Sequence, residues 1–268
     1  MLLTVDIGNT NIVLGLFENN RADTGKTDKD ATALHDWRMH TDARMTADEM
    51  ALTVRGLLGE YASKITGIAA LSTVPALLRE LKVMVDRYWP QLPRVIVEPG
   101  VRTGVPLLYD NPRELGADRI VNTLAAYTLY GGPAIVVDFG TSTNFDVVSA
   151  RGEFLGGALA PGIEISVDAL ATRAAQLVKV QLVRPRSVIG KSTVEALQSG
   201  LLFGFAGQVD GLVRRIAAEL APGAEDDVVV VATGGLAALL ITESQTITHH
   251  EPHLTLRGLR MVFDRNIT

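Results

Sequence analysis

The residues best suited to chemistry lie in two short loops, each of which follows an apolar run and joins an aspartate to a glycine. The first contains Asp6 and Gly8 in VDIGNTN, and the second contains Asp138 and Gly140 in VDFGTST. Glycine and small polar side chains leave the backbone open to a phosphate, and a carboxylate is a hard ligand for Mg²⁺. Each loop therefore has the composition of a phosphate site, although either loop alone is more often an ordinary turn.

The two loops repeat at a spacing close to half the chain length. Asp6 and Asp138 are 132 residues apart in a chain of 268 residues. A repeat of this length predicts two duplicated domains, and ligand sites favour the interface between such domains. We expect the domains to be 1–115 and 116–268, with the two loops facing each other across a nucleotide cleft.

Apolar patterning predicts strands before and after each loop, followed by alternating helices and strands. In the first half we expect a hairpin over 2–17, strands at 35–41, 65–71 and 94–98, and helices over 46–63 and from Pro75 onward. In the second half we expect strands at 134–139, 144–149, 154–160 and 227–232, and helices over 116–130, 164–178, 194–220 and 254–263. The first half has the order βββαβαβ, and the second begins to repeat it. Thr46 and Glu49 form a capping box at the start of the first helix.

The composition is that of an ordinary globular protein, with 47% hydrophobic and 21% charged residues. The chain has no cysteine, which excludes disulfides, a thiolate zinc site and a catalytic thiol and favours the cytoplasm. A net charge of −5 without a basic run argues against a nucleic-acid partner. The most apolar window, 228–241, is too short to span a membrane.

Four further motifs accompany the two loops: GADR at 116–119, LGGALAPG at 155–162, IGKSTVEA at 189–196, and the pair Gly234 and Gly235. Together with the loops and the repeat, they resemble the superfamily of acetate and sugar kinases, Hsp70 and actin, and closely the type III pantothenate kinase family. The resemblance implies an α/β fold of two duplicated ribonuclease H-like βββαβαβ domains, the actin-like ATPase fold. It also implies ATP-dependent phosphorylation of pantothenate to 4′-phosphopantothenate, the first step of coenzyme A biosynthesis.

The resemblance further implies a role for each candidate residue. Asp118 is expected to be the general base, and Asp6 and Asp138 are expected to be metal ligands. Mg²⁺ is expected at the phosphates, and a monovalent cation, K⁺ or NH₄⁺, is expected at Asp138. The ATP-binding residues are expected to be Asp6, Ile7, Gly8, Asn9, Thr10, Asn11, Ile12, Val13, Thr141, Gly234 and Gly235. The pantothenate-binding residues are expected to be Tyr109, Gly116, Ala117, Asp118, Arg119 and Thr193. The protein is expected to be a homodimer with residues 154–162 at its interface, and Thr193 is expected to reach the substrate of the partner subunit.

Each of these residues also has an ordinary structural interpretation. Asp118 and Thr193 suit helix N-caps, Tyr109 suits a packing residue, and the Gly234 pair suits a strand-to-helix turn. Two other classes of function remain open: another small-molecule kinase or phosphatase of the superfamily, and a non-catalytic regulator related to transcription accessory factors. An actin-like filament is a further alternative, which the short chain disfavours.

Three features depart from a simple pattern. The string GKST at 190–193 is not a Walker A loop, because Pro185 stands where that motif requires glycine. Ser142 stands in the second phosphate loop where the family usually has alanine, and we expect binding to survive this change. The charged loop at 19–29 has no role that the sequence assigns.

Overall fold

The computed structural model describes residues 1–18, 32–173 and 180–267. The chain forms two compact units. The first unit combines Met1–Val105, Asp110–Leu129 and His253–Thr268, and the second combines Pro106–Tyr109 and Tyr130–Pro252. The predicted domains, 1–115 and 116–268, divide the chain by its sequence repeat, whereas the two units divide it by contacts in the fold. The predicted division stays a prediction. The charged loop at 19–29 lies outside the described residues.

Strands and helices alternate along the chain in two similar series. The strands are β1 (Leu2–Ile7), β2 (Asn11–Phe17), β3 (His35–His40), β4 (Gly67–Ser72), β5 (Arg94–Ile96), β6 (Ala134–Phe139), β7 (Ser142–Val148), β8 (Phe154–Pro161), β9 (Val229–Thr233) and β10 (His249–His250). The α-helices are α1 (Ala47–Leu58), α2 (Pro75–Tyr88), α3 (Ala117–Tyr130), α4 (Ile163–Arg173), α5 (Thr193–Leu220), α6 (Ala237–Leu240) and α7 (Leu254–Ile267).

Each unit is built on a five-stranded mixed sheet, and the two sheets have the same topology. The strand order is β3-β2-β1-β4-β5 in the first and β8-β7-β6-β9-β10 in the second. The first three strands of each series are antiparallel, and β4, β5, β9 and β10 add parallel neighbours. This is the duplicated βββαβαβ arrangement that the repeat and the resemblance predict, and it is confirmed.

The duplication extends to the burial of individual positions. β1 and β6 share the same pattern, in which every residue is buried except the aspartate before the last position, Asp6 or Asp138. β2 and β7 also share one burial pattern along their seven residues. Such apolar strands are buried on both faces, as expected of central strands covered by helices. Each sheet therefore presents one carboxylate near the end of its central strand.

Several predicted boundaries shift for local reasons. The first helix begins as expected, with Thr46 as N-cap and both hydrogen bonds of the capping box present. It ends at Leu58, earlier than the predicted Ser63, because Gly59 has a φ of +51° and a 3₁₀ helix follows. The helix predicted over 164–178 is observed to Arg173, and its remainder lies outside the described residues.

Each unit has its own hydrophobic core. In the first unit, buried side chains of β1, β2 and β4 pack with those of α1 and α2. In the second unit, β6 and β9 pack against the long helix α5 and the short helix α6. In the described ranges, no helix combines the length and the hydropathy that a membrane crossing requires.

Candidate active site

The first hairpin loop, residues 8–11, lies between the paired residues Ile7 of β1 and Ile12 of β2 and begins two residues after Asp6. Its turn is closed by a hydrogen bond from the Gly8 N–H to the Asn11 carbonyl at 3.0 Å. Thr41 and Thr73, which follow β3 and β4, hold the backbone carbonyls at the start of this loop. The Thr41 hydroxyl donates to the Gly8 carbonyl at 2.7 Å, and the Thr73 N–H donates to the Ile7 carbonyl at 2.9 Å. These contacts hold the carbonyl groups and so define the backbone orientation of a loop suited to phosphate.

The second hairpin loop, residues 140–142, occupies the equivalent place between β6 and β7. It is one residue shorter, because Phe139 pairs with Thr143 whereas Ile7 pairs with Ile12 in the first hairpin. The Gly140 N–H donates to the Ser142 carbonyl at 3.0 Å. The hydroxyl of Ser142, the residue that departs from the family pattern, donates to the Asn144 side chain at 2.7 Å. The extra hydroxyl is thus used within the hairpin itself.

Two glycines from distant parts of the second unit pack against this loop. The Gly162 N–H donates to the Thr141 carbonyl at 3.1 Å, and a Cβ at Gly162 would lie 2.4 Å from that oxygen. Gly234 has a φ of +92°, and a Cβ there would lie 2.5 Å from the Asp138 carboxylate. Only glycine allows both approaches. Asp138, Thr141 and Gly234, three of the residues predicted to bind the nucleotide or its cation, are therefore brought together in the second unit.

The GADR segment places its aspartate at the start of α3, in the first unit. Asp118 is the second residue of the helix, and its carboxylate folds back over Gly116, where a Cβ would lie 2.3 Å from the Asp118 Oδ1 atom. Any side chain at position 116 would therefore displace the carboxylate. Arg119, the next residue, is 9% exposed. Gly116, Ala117, Asp118 and Arg119 thus act as one structural element.

Two opposing influences set the protonation of Asp118. Burial raises the pKa of its carboxyl, whereas hydrogen bonds from the backbone of Arg119 and of Asp118 itself, and the charge of Arg119, lower it. The net effect is a raised pKa, because desolvation of the carboxylate is the largest influence. The carboxylate does contact the backbone of its helix, as the capping interpretation expects, but a raised pKa also makes it a stronger proton acceptor than an exposed aspartate.

Tyr109 lies in the second unit and packs against β8. Its ring meets Phe154 edge-on with centroids 5.7 Å apart, and it lies beside Gly156, where a Cβ would be 3.7 Å from the ring. The Leu108 N–H donates to the Phe154 carbonyl at 2.9 Å, which fixes this segment beside the strand. The packing interpretation of Tyr109 therefore holds, and the half-buried ring keeps one part accessible.

The start of α5 differs from the sequence interpretation in one respect. Ser192, not Thr193, is the N-cap, since the Ser192 hydroxyl accepts a hydrogen bond from the Glu195 N–H at 3.2 Å. The capping interpretation of Thr193 is therefore wrong: Thr193 is the first helical residue and is exposed. Its side chain is thus available for a role outside its own helix.

Sequence reasoning missed the residues that support the two hairpin loops. Thr41 and Thr73 belong to no motif, and no sequence signal singles them out. Gly162 is the last residue of the motif at 155–162, which the resemblance links to a subunit interface rather than to the phosphate loop. Its close approach to Thr141 is a backbone contact that only the folded chain shows.

Comparison with solved structures defines the class of the fold. The chain is similar to component A of the (R)-2-hydroxyglutaryl-CoA dehydratase of Acidaminococcus fermentans, with a TM-score of 0.56, 13% identity, and coverage of 100% of this chain and 99% of that one. It is also similar to the inorganic polyphosphate/ATP-glucomannokinase of an Arthrobacter strain, with a TM-score of 0.51, 12% identity and 98% coverage of both chains. The fold is that of the actin-like ATPases and sugar kinases, as the motifs predict.

Comparison with sequences defines the family. The sequence model of the type III pantothenate kinase family matches residues 2–215. A type III pantothenate kinase from Saccharopolyspora erythraea is 69% identical over 266 residues, with coverage of 99% of both chains. The chain belongs to the type III pantothenate kinase family, which confirms the resemblance carried by its motifs.

Proposed function

We propose that this chain transfers the γ-phosphoryl group of ATP to the primary hydroxyl of pantothenate, producing 4′-phosphopantothenate for coenzyme A synthesis. The observation that carries the proposal is the position of Asp118, whose carboxylate is held over Gly116 at the start of α3 within the family's GADR segment. A half-buried carboxylate whose desolvation raises its pKa is the kind of group that receives a proton from a hydroxyl nucleophile.

In this reaction Asp118 orients the attacking hydroxyl and accepts its proton. Phosphoryl transfer passes through a loose transition state, so the base contributes mainly by positioning and by removing the proton late. Arg119 and Tyr109 bind pantothenate in the proposal, and the guanidinium of Arg119 suits the carboxylate of that substrate. Thr193 contributes from the partner subunit, which its exposed position at the start of α5 permits.

The residues of the two hairpin loops hold the nucleotide and its cations in this proposal. Residues 6–13 and Thr141 contact the phosphates of ATP, and Gly234 with Gly235 receives the adenine. Asp6 is a hard oxygen ligand suited to Mg²⁺, which neutralises charge on the transferring phosphates. Asp138 is the ligand of a monovalent cation, K⁺ or NH₄⁺, and glycine at position 234 leaves room beside that carboxylate, where a Cβ would lie 2.5 Å away.

We further propose that the active form is a homodimer in the cytoplasm. In the described part of the second unit, β8 is an edge strand: β7 is its neighbour in the sheet, and the segment 106–108 bridges to it at Phe154 only. Large apolar side chains are exposed on β8 and before α5, including Leu159 at 62% and Ile189 at 71%. A second copy of the chain that covers these side chains accounts for their exposure and brings Thr193 to the partner's site. The absence of cysteine suits a reducing compartment.

The first test of the function is a coupled assay of ADP release with Mg-ATP and pantothenate, in K⁺ and separately in Na⁺. The proposal expects ADP release that depends on pantothenate and requires K⁺. Asp118→Asn is expected to bind ATP normally while turnover falls by about 10²–10⁴-fold, as is typical for loss of a general base. Asp226→Asn makes the same chemical change at an exposed position outside the site and is the matched control.

Two results would contradict these assignments separately. Wild-type protein that binds ATP but releases no ADP with pantothenate would reject the proposed acceptor. Full turnover by Asp118→Asn would instead keep the reaction and remove Asp118 from its role. Equal rates in Na⁺ and K⁺ would reject only the cation assignment at Asp138.

A further inference from the structure

A buried carboxylate on α5 binds three consecutive residues of a distant loop. Asp210 is 7% exposed. It accepts hydrogen bonds from the Ser244 hydroxyl at 2.7 Å, from the Gln245 N–H at 3.0 Å, and from the Thr246 N–H at 3.2 Å and hydroxyl at 2.9 Å. The loop of residues 244–246 is thus wrapped around a single carboxylate.

The charge of Asp210 is stabilised mainly by these donors. Burial alone would raise the pKa of the Asp210 carboxyl, but the hydrogen bonds from Ser244, Gln245 and Thr246 together outweigh burial and lower the pKa below its ordinary value. Arg214 lies one turn further along the helix, with its guanidinium 4.0 Å from the carboxylate and 2.7 Å from the Gln245 side-chain oxygen. The contact is therefore made by the ionised carboxylate at neutral pH.

Local backbone hydrogen bonds lie along the chain between Gly234 and this loop. The Ala237 N–H donates to the Gly234 carbonyl at 3.3 Å, and the Ile241 N–H donates to the Ala237 carbonyl at 3.0 Å. At the other end, the Ser244 N–H donates to the Leu240 carbonyl at 2.9 Å, and the Ser244 hydroxyl then donates to Asp210. Residues 234–244 therefore form one compact segment with α6 at its centre.

This segment needs support from outside, because α6 is only four residues long. A single helical turn is not stable by itself, since the first turn fixes several residues for very few hydrogen bonds. At its start the segment follows β9, whose last residue Thr233 pairs with Asp138 in the sheet. Its buried residues Ala237 and Leu240 pack in the core. At its end the anchor is Asp210. Strand pairing therefore fixes the start of the segment, and the Asp210 carboxylate fixes its end.

We propose that Asp210 is a positioning residue for nucleotide binding, which fixes the segment 234–244 so that Gly234 and Gly235 receive the adenine of ATP. The inference rests on the proposed function, which assigns the adenine to these glycines. Beyond that function, Asp210 would contact neither the nucleotide nor pantothenate and would act only through the loop of residues 244–246. Its loss should weaken the binding of ATP selectively and leave pantothenate binding and the chemical step intact.

The test compares Asp210→Asn with wild type in steady-state kinetics and in calorimetric binding of a non-hydrolysable ATP analogue. The expected result is an increase of about tenfold in the KM for ATP and in the Kd of the analogue, a size typical of one lost charge-assisted hydrogen bond. The kcat and the KM for pantothenate should remain within about twofold, since a change confined to the nucleotide loop affects ground-state binding of ATP alone.

Two further variants separate positioning from general stability. Ser244→Ala removes one donor and keeps the carboxylate with its backbone partners, so a smaller increase in the KM for ATP is expected in a protein that folds normally. Glu219→Gln removes one negative charge from an exposed site on the same helix and should leave all three kinetic constants unchanged. Thermal unfolding of each variant is recorded in parallel.

The outcomes distinguish this inference from the proposed function. If wild type binds the analogue and folded Asp210→Asn binds it equally well, or if both KM values rise together, the positioning role is refuted while the proposed function stands. If Asp210→Asn does not fold, an unchanged KM for ATP in Ser244→Ala refutes it. Wild-type protein that fails to bind the analogue would overturn the proposed function and the inference together.

Discussion

Replacing Gly162 with alanine should displace the second hairpin loop without introducing any unfavourable backbone conformation. The φ of Gly162 lies outside the left-handed range, so alanine is tolerated by the backbone itself. The new Cβ, however, would lie 2.4 Å from the Thr141 carbonyl oxygen and 2.5 Å from that of Gly140. The obstacles are backbone atoms, which cannot rotate away as a flexible side chain can.

The geometry gives the size of the expected effect. Ordinary van der Waals contact for a Cβ begins at 3.4 Å, so the loop and residue 162 must separate by about 1 Å. Overpacking of this kind costs about 1–3 kcal/mol of stability. A shift of about 1 Å in a positioning element can lower the rate by about 10²-fold. We therefore expect kcat/KM for ATP to fall by about 10²-fold while the protein remains folded.

The assay is the coupled measurement of ADP release, with ATP varied at saturating pantothenate and the reverse. Gly207→Ala is the matched control, because a Cβ at Gly207 on α5 meets nothing within 4 Å. Alanine there should stabilise the helix by about 0.5–1 kcal/mol and leave both KM values unchanged. A folded Gly162→Ala variant with wild-type kcat/KM for ATP would show that Thr141 does not bind the phosphates as proposed.

Two further predictions concern Asp118 and the dimer. Because the folded protein raises the pKa of Asp118, the free energy of unfolding falls as pH rises through the range between the unfolded and the folded pKa. Asp118→Asn should therefore raise the Tm at pH 7 and have little effect near pH 3, and an unchanged Tm at pH 7 would contradict the burial argument. Ile189→Asp places a charge among exposed apolar side chains and should convert a dimer into a monomer in sedimentation velocity. A monomeric wild type, or a dimeric variant, would reject this surface as the interface.

The sequence predicts the central strands and their glycine loops with little error, because those signals are local. A buried strand that ends in Asp-x-Gly, followed by a polar turn, has the same physical consequence in both halves of the chain. The observed burial of β1 and β6 is identical, position by position. The topology of the sheets and the role proposed for Asp118 depend instead on the resemblance of the motifs to a family, and periodicity alone predicts neither.

The errors occur where two neighbouring residues are chemically equivalent or where the contact is between distant segments. Ser192 and Thr193 both carry a hydroxyl, and only the hydrogen bond from the Glu195 N–H identifies Ser192 as the cap. The contact of Asp210 with Ser244 joins residues 34 positions apart, and nothing in the local pattern of either residue indicates it. Non-local hydrogen bonds of buried groups require the fold before they can be assigned.

The two hairpin loops are duplicates in topology but are supported by different physical means. In the first unit, the backbone of the loop is held by Thr41 and Thr73, whose hydroxyl and N–H groups bind the Gly8 and Ile7 carbonyls. In the second unit, the loop is held by close backbone approach, with Gly162 against Thr141 and Gly234 against Asp138.

This difference determines how each loop responds to change. A hydrogen-bonded support such as Thr41 can be weakened gradually, because a lost hydroxyl bond costs about 0.5–1.5 kcal/mol and leaves the backbone in place. A close glycine contact cannot be weakened gradually in this way, since even the methyl group of alanine would overlap carbonyl oxygens. The supports of the second loop are therefore the less tolerant of substitution. A close-packed support of this kind suits the role proposed for Asp138, since a carboxylate in a defined orientation can bind the proposed monovalent cation.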